Sequence, residues 1–184
     1  MRESFKQGHV EVICGPMYSG KSTEMMRRLR RARIGRQKVQ VFKPKLDTRG
    51  DMEKVSSHDK VEFQAIPVET PRAILGYALD DETQVVGIDE AQFFDESIVS
   101  VVQMLADRGI RVIIAGLDTD FQFKPFGAMP ALLVLAESVD KLTAVCTVCG
   151  EPATRTQRLT ESKELVIPGA AGQYEARCRK HHTF

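Results

Sequence analysis

A mainly parallel β-sheet covered by helices, an α/β fold, is predicted from three observations. Strand-like and helix-like runs alternate along most of the chain. A glycine-containing stretch, Gly15-Pro16-Met17-Tyr18-Ser19-Gly20-Lys21-Ser22, separates a β-rich run (Val10, Val12, Ile13) from a helix-like run. A second apolar run, Val85-Val86-Gly87-Ile88, ends in two carboxylates, Asp89 and Glu90. Alternation of this kind implies parallel strands joined by crossover helices.

In order, periodicity and turn residues predict a strand near 9–14, a helix over 21–34, strands over 38–43 and 60–66, and a helix over 71–79. A strand over 84–88, a helix over 95–107, a strand over 110–116 and a helix over 128–137 follow. Lys141-Leu142-Thr143-Ala144-Val145 reads as one more strand. Near residue 140 the texture changes to a Cys-, Thr-, Gly- and Arg-rich stretch, which divides the chain into a nucleotide-binding α/β domain, 1–140, and a small appendage, 141–184. The polar segment from Lys45 to Lys60 is expected to be a mobile loop.

Composition narrows the function classes. At 184 residues the chain suits one sizeable domain with its own core. Lys plus Arg total 26 against 25 Asp plus Glu, a net charge of +1, so charge gives no argument for nucleic acid or an anionic membrane. The run Arg27, Arg28, Arg30, Arg31, Arg33, Arg36 is expected to be a solvated helix face or subunit contact. Met1 to Gly8 is polar, with no signal core, and no apolar run approaches the roughly 20 residues that span a bilayer. A cytoplasmic protein with a small-molecule substrate is the expectation.

The stretch from Gly15 to Ser22 fits the phosphate-binding pattern G-x-x-x-x-G-K-S/T. Its glycines let the backbone curl so that successive N–H groups and the following helix N-terminus face phosphate oxygens. Lys21 offers a charge to the β- and γ-phosphates, and the Ser22 hydroxyl a ligand to Mg²⁺. Asp89, at the C-terminal end of a parallel strand, reads as the acid that holds Mg²⁺ directly or through water. Glu90 beside it is free for proton chemistry, and its proton donor could be water, making an ATPase, or a substrate hydroxyl, making a kinase.

Four cysteines in a cytosolic chain point to metal or chemistry rather than disulfides. Cys14 ends the first strand and reads as a small buried apolar residue. Cys146-x-x-Cys149 and Cys178-x-x-His181 form two close pairs that suit a tetrahedral Cys₃His zinc site. With no ligand position open, that metal would be structural. Spacing does not separate His181 from His182 as the fourth ligand.

The chain resembles the type II thymidine kinases, cytosolic enzymes with a P-loop core and a zinc-bearing lasso domain. The resemblance covers nearly all of residues 9–182. It rests on Gly15 to Ser22, on Lys43 to Arg49, and on Ile88-Asp89-Glu90-Ala91-Gln92-Phe93-Phe94. Phe121-Gln122-Phe123-Lys124-Pro125-Phe126-Gly127, Ala136 to Val139 and Lys141 to Cys146 complete it. It implies transfer of the ATP γ-phosphate to the 5′-hydroxyl of deoxythymidine, with Glu90 as general base and Gly15, Pro16, Met17, Tyr18, Ser19, Gly20, Lys21, Ser22 and Asp89 serving Mg·ATP. Asp47 and Arg49 match a loop that approaches the phosphates. Gln92, Phe93, Phe121, Phe126, Gly169 and Tyr174 match positions around the nucleoside. A structural Zn²⁺, a homotetramer and feedback inhibition by dTTP are further implications, with neither nucleic acid nor membrane as partner. His181 stands where the family often has a cysteine. The rings at Phe121, Phe123 and Phe126 fall in a turn-like segment where periodic core packing explains them poorly, and aromatic walls suit a planar base. A zinc-containing P-loop ATPase acting on nucleic acid through the arginine helix is the competing expectation.

Overall fold

The computed structural model describes residues 8–45, 54–55, 63–80, 82–160 and 172–183. Asp47, Arg49, Gly169 and most of the polar segment from Lys45 to Lys60 lie outside these residues. The strands are β1 His9–Cys14, β2 Val39–Pro44, β3 Lys54–Val55, β4 Phe63–Val68, β5 Val85–Ile88, β6 Arg111–Gly116, β7 Ser138–Lys141, β8 Ala144–Val145, β9 Pro152–Ala153, β10 Arg155–Arg158 and β11 Tyr174–Arg177. The helices are α1 Lys21–Ile34, α2 Pro71–Asp80, α3 Ser97–Asp107 and α4 Met129–Leu135, with a 3-10 turn at Ala91–Phe93.

The main sheet runs in the order β3-β4-β2-β5-β6-β1-β7. All its pairings are parallel except that of β3 with β4. Both faces are covered, so the central strands are apolar on both sides. Val10, Val12 and Cys14 pack on one face with Val86, Ile88, Ile98, Leu105 and Met129. Ile13 turns to the other, against Met25, Met26 and Leu29 of α1.

The last strand of the main sheet departs from expectation. The main sheet ends with Ser138–Lys141, while Ala144–Val145 pairs instead with Pro152–Ala153. The Glu137 amide donates to the Val10 carbonyl, its carboxylate accepts from the Val10 amide at 2.7 Å, and the Leu142 amide closes the ladder on Cys14. Pairing with β1, rather than the apolar content of the segment, therefore decides where β7 lies. It also ends α4 at Leu135, short of the expected 137.

Arg28 does not lie on a solvated face. It is 3% exposed and donates to Glu11 at 2.6 Å, Glu24 at 2.8 Å and Asp140 at 2.5 Å. Glu11 also accepts from Arg111 at 2.6 Å. Arg27 pairs with Glu24, and the Arg33 guanidinium lies 3.9 Å from the Phe63 ring centroid. Arg28, and Arg33 through its ring contact, thus tie α1 to the sheet, while Arg27, Arg31 and Arg36 lie on the exposed side as expected.

Candidate active site and metal cluster

β1 delivers the chain into the loop 15–20, and α1 leaves it. Gly15 has φ +142, and a Cβ there would come within 2.4 Å of the Leu142 carbonyl oxygen, so only glycine starts this turn. The Lys21 ammonium donates to the Pro16 carbonyl at 2.7 Å. Burial lowers the Lys21 pKa, against the opposing pull of Glu90, Asp89 and Asp118.

The Ser22 hydroxyl lies 3.3 Å from Asp89 Oδ1, which also accepts the Glu90 amide at 3.0 Å. The Asp89 amide makes the last β5–β2 bond, to the Phe42 carbonyl. Burial, then the Glu90 carboxylate, push the Asp89 carboxyl up to about 7. A hydroxyl beside a buried carboxylate is the hard-oxygen donor set that Mg²⁺ takes. At Glu90 the backbone enters the left-handed region, φ 52 and ψ 41. This conformation costs about 1–2 kcal/mol outside glycine. It turns the chain out of the sheet, and Glu90 lines one cavity of about 180 Å³ with Met17, Tyr18, Gly20, Lys21, Ser22, Thr23 and Leu117.

The aromatic segment after β6 is a self-braced loop. Asp120 Oδ1 accepts the Gln122 and Lys124 amides, each at 2.9 Å, and the Phe126 amide donates to the Asp118 carbonyl. Phe93 and Phe126 meet edge to face at 5.7 Å. The Arg158 guanidinium stacks 3.7 Å from the Phe121 centroid and donates to the Tyr174 hydroxyl at 2.7 Å. Arg155 stacks in the same way on Phe123, at 3.8 Å. The Gln92 amide turns toward Glu90 and the Leu117 main chain.

The C-terminal ribbon reaches the phosphate loop directly. The Met17 amide donates to Thr156 Oγ1 at 3.0 Å, and the Tyr18 hydroxyl to the Tyr174 carbonyl at 3.2 Å. Thr156, Arg155, Arg158, Asp118 and Asp120 were not singled out from sequence. Asp118 had a usable signal, since it follows β6 much as Asp89 follows β5, at the carboxyl edge where such sheets bind ligands. The arginines had none, because their partners are rings far off in the chain.

The two Cys/His knuckles come together. The candidate ligand atoms of Cys146, Cys149, Cys178 and His181 all lie within 4.8 Å of one another. Cys149 Sγ and Cys178 Sγ are 3.8 Å apart, and His181 Nδ1 is 3.3 Å from Cys178 Sγ and 3.8 Å from Cys146 Sγ. A tetrahedron with metal–sulfur bonds of about 2.3 Å has edges of about 3.8 Å, so the cluster fits zinc. Burial pushes the Cys146 thiol up, but backbone N–H groups of Cys178, Val148 and Cys149 outweigh it and leave it at about 6, toward the thiolate that binds metal. His182 turns away, with Nε2 2.9 Å from the Phe121 carbonyl oxygen, so His181 is the fourth candidate ligand. Cys14 is wholly buried and its thiol is pushed up to about 11 by burial and then Asp118, as suits an inert core residue.

A mainly parallel α/β sheet with a strand–loop–helix turn of G-x-x-x-x-G-K-S pattern, a carboxylate pair at the end of β5 and a zinc-compatible Cys₃His cluster defines an α/β protein of the P-loop class. The thymidine kinase family model matches residues 8–182, and the chain belongs to that family. Its function is that of a thymidine kinase, and no observation favours a nucleic-acid-dependent ATPase. Among the described residues no helix is long and apolar enough to cross a membrane.

Proposed function

We propose that the chain transfers the γ-phosphate of Mg·ATP to the 5′-hydroxyl of deoxythymidine, giving dTMP and ADP. The observation that carries this reading is that Lys21, Ser22 and Glu90 line one cavity, with Asp89 bonded to Ser22. The loop from Gly15 to Gly20 and the start of α1 cradle the phosphates, and Lys21 neutralises charge on the β- and γ-phosphates. Ser22 and Asp89 would hold Mg²⁺, which would supply positive charge against the phosphates. Glu90 takes the proton of the 5′-hydroxyl as that oxygen bonds to the γ-phosphorus and the bond to the β-phosphate oxygen breaks.

Phe93, Phe121 and Phe126 wall the thymine and Tyr174 closes over it; Gly169 is assigned to the nucleoside on the family resemblance alone. Asp47 and Arg49 serve the phosphates. A structural zinc on Cys146, Cys149, Cys178 and His181 ties the two ends of the segment that carries Tyr174, with 1–140 and 141–184 as the two units. Homotetramer assembly, inhibition by dTTP and a cytoplasmic location belong to the same reading.

Glu90→Gln tests it. The variant keeps the side-chain shape and loses the base, so kcat falls about 100-fold or more while Mg·ATP binding holds. Turnover near that of the wild type would remove Glu90 from the role.

A further inference from the structure

Gln92 lies two positions beyond Glu90, inside the 3-10 turn, and is 3% exposed. The two ends of its amide are not interchangeable. Oε1 accepts the Leu117 main-chain N–H at 3.0 Å, and a main-chain N–H can only donate. The amide is thereby fixed in one of its two orientations, with Nε2 facing Glu90 Oε2 at 2.5 Å.

The surroundings are built to this residue's size. A Cβ on Gly116 would come within 2.9 Å of Gln92 Oε1, and one on Gly127 within 2.5 Å of the Gln92 carbonyl oxygen. Both approaches put backbone against Gln92, so its place is set by the end of β6 and by the aromatic loop together. Glu90 itself stands on a left-handed residue, φ 52, with a side chain that is only partly buried. Such a side chain needs a second fixed point to keep one rotamer.

We infer that Gln92 is a positioning residue for Glu90: it holds one carboxylate oxygen and leaves the other to meet the substrate hydroxyl. This departs from the nucleoside contact that the family resemblance implies for Gln92, and it rests on the reading of Glu90 as general base. The two roles differ in what they do to binding and turnover. A residue that aims the base changes kcat and leaves nucleoside affinity alone, whereas a residue that reads the nucleoside changes affinity.

Two variants test this. Gln92→Met matches the length and removes the donor; Gln92→Asn keeps the amide but is one methylene too short to span Leu117 and Glu90. With thermal unfolding used to confirm folding, both are expected to lower kcat at saturating substrates about 10-fold or more. The calorimetric Kd for thymidine should stay within about threefold of wild type. In a Glu90→Gln background neither should lower kcat further, because the group they aim is gone.

A weakened thymidine Kd with unchanged kcat, no change in either quantity, or an equal loss in the Glu90→Gln background would each overturn the proposal. Near-wild-type turnover of Glu90→Gln alone would instead remove the base assignment on which it rests. That outcome is read from a different variant, so the two failures stay distinct.

Discussion

His182 Nε2 meets the Phe121 carbonyl oxygen at 2.9 Å, while His181, the next residue back, turns Nδ1 into the cysteine cluster. Adjacent histidines thus join the metal knuckle to the aromatic loop. Loss of the metal should pass through this tie, and through the stacking of Arg158 on Phe121, to the nucleoside side of the site. The main sheet keeps its own core. Cys178→Ser is expected to bind less than stoichiometric zinc and to lose most thymidine affinity, while still binding Mg·ATP. His182→Ala should keep its zinc and lose about tenfold in thymidine affinity, on the scale of one buried hydrogen bond. Metal analysis beside calorimetric titration of each substrate reads both. A metal-free Cys178→Ser with unchanged thymidine affinity would refute the coupling.

Much of this arrangement was legible in the sequence, and the rest was not, for physical reasons. The bounds of β1 and α1 match expectation because the apolar run, the left-handed glycines and the helix start are local signals. β7 is not legible in the sequence, because Ser138-Val139-Asp140-Lys141 has little strand character of its own and is held by Glu137 and the β1 edge. The burial of Arg28 is not visible in the sequence, because only its partner at i−4, Glu24, is local; Glu11 and Asp140 come from β1 and β7. The cluster ligands were legible as paired spacings. Choosing between His181 and His182 required the fold.

The carboxylates gathered around Arg28, Glu24 on α1 and Glu11 on β1, give a stability test with a definite sign. Glu24 is held down at about 2, first by its bond to Arg27 and then by Arg28 against burial; Glu11 is also lowered, Arg111, His9 and Arg28 overcoming its burial. Carboxylates lowered on folding add stability that is complete above their ordinary value of 4.5 and is lost as pH falls toward 2. Arg28→Met should cost about 3 kcal/mol at neutral pH by leaving Glu11 with fewer partners. Urea unfolding followed from pH 7 downward should show the gap to wild type closing below about pH 4.5. A gap constant with pH would contradict the assignment.

Gly127 carries φ +51, and any Cβ there would meet the Gln92 carbonyl. Gly127→Ala combines a backbone cost with a steric one and is expected to lose about 2–3 kcal/mol and to weaken thymidine binding more than ATP binding. Gly109→Ala is the control: φ is +85, but nothing lies within 4 Å of the added carbon. It should cost only about 1–2 kcal/mol and leave both affinities alone. Equal effects of the two variants on thymidine affinity would show that the close fit at Gly127, next to the Phe126 ring that meets Phe93, does not shape the nucleoside side of the site.

On the proposed mechanism Glu90 serves a nucleoside hydroxyl rather than water. Incubation with ATP labelled in its γ-phosphate, with and without thymidine, tests this most directly. The expected result is label in thymidine 5′-monophosphate, matched by ADP, and little free phosphate when thymidine is left out. Brisk phosphate release without nucleoside, with no labelled dTMP when it is supplied, would contradict it.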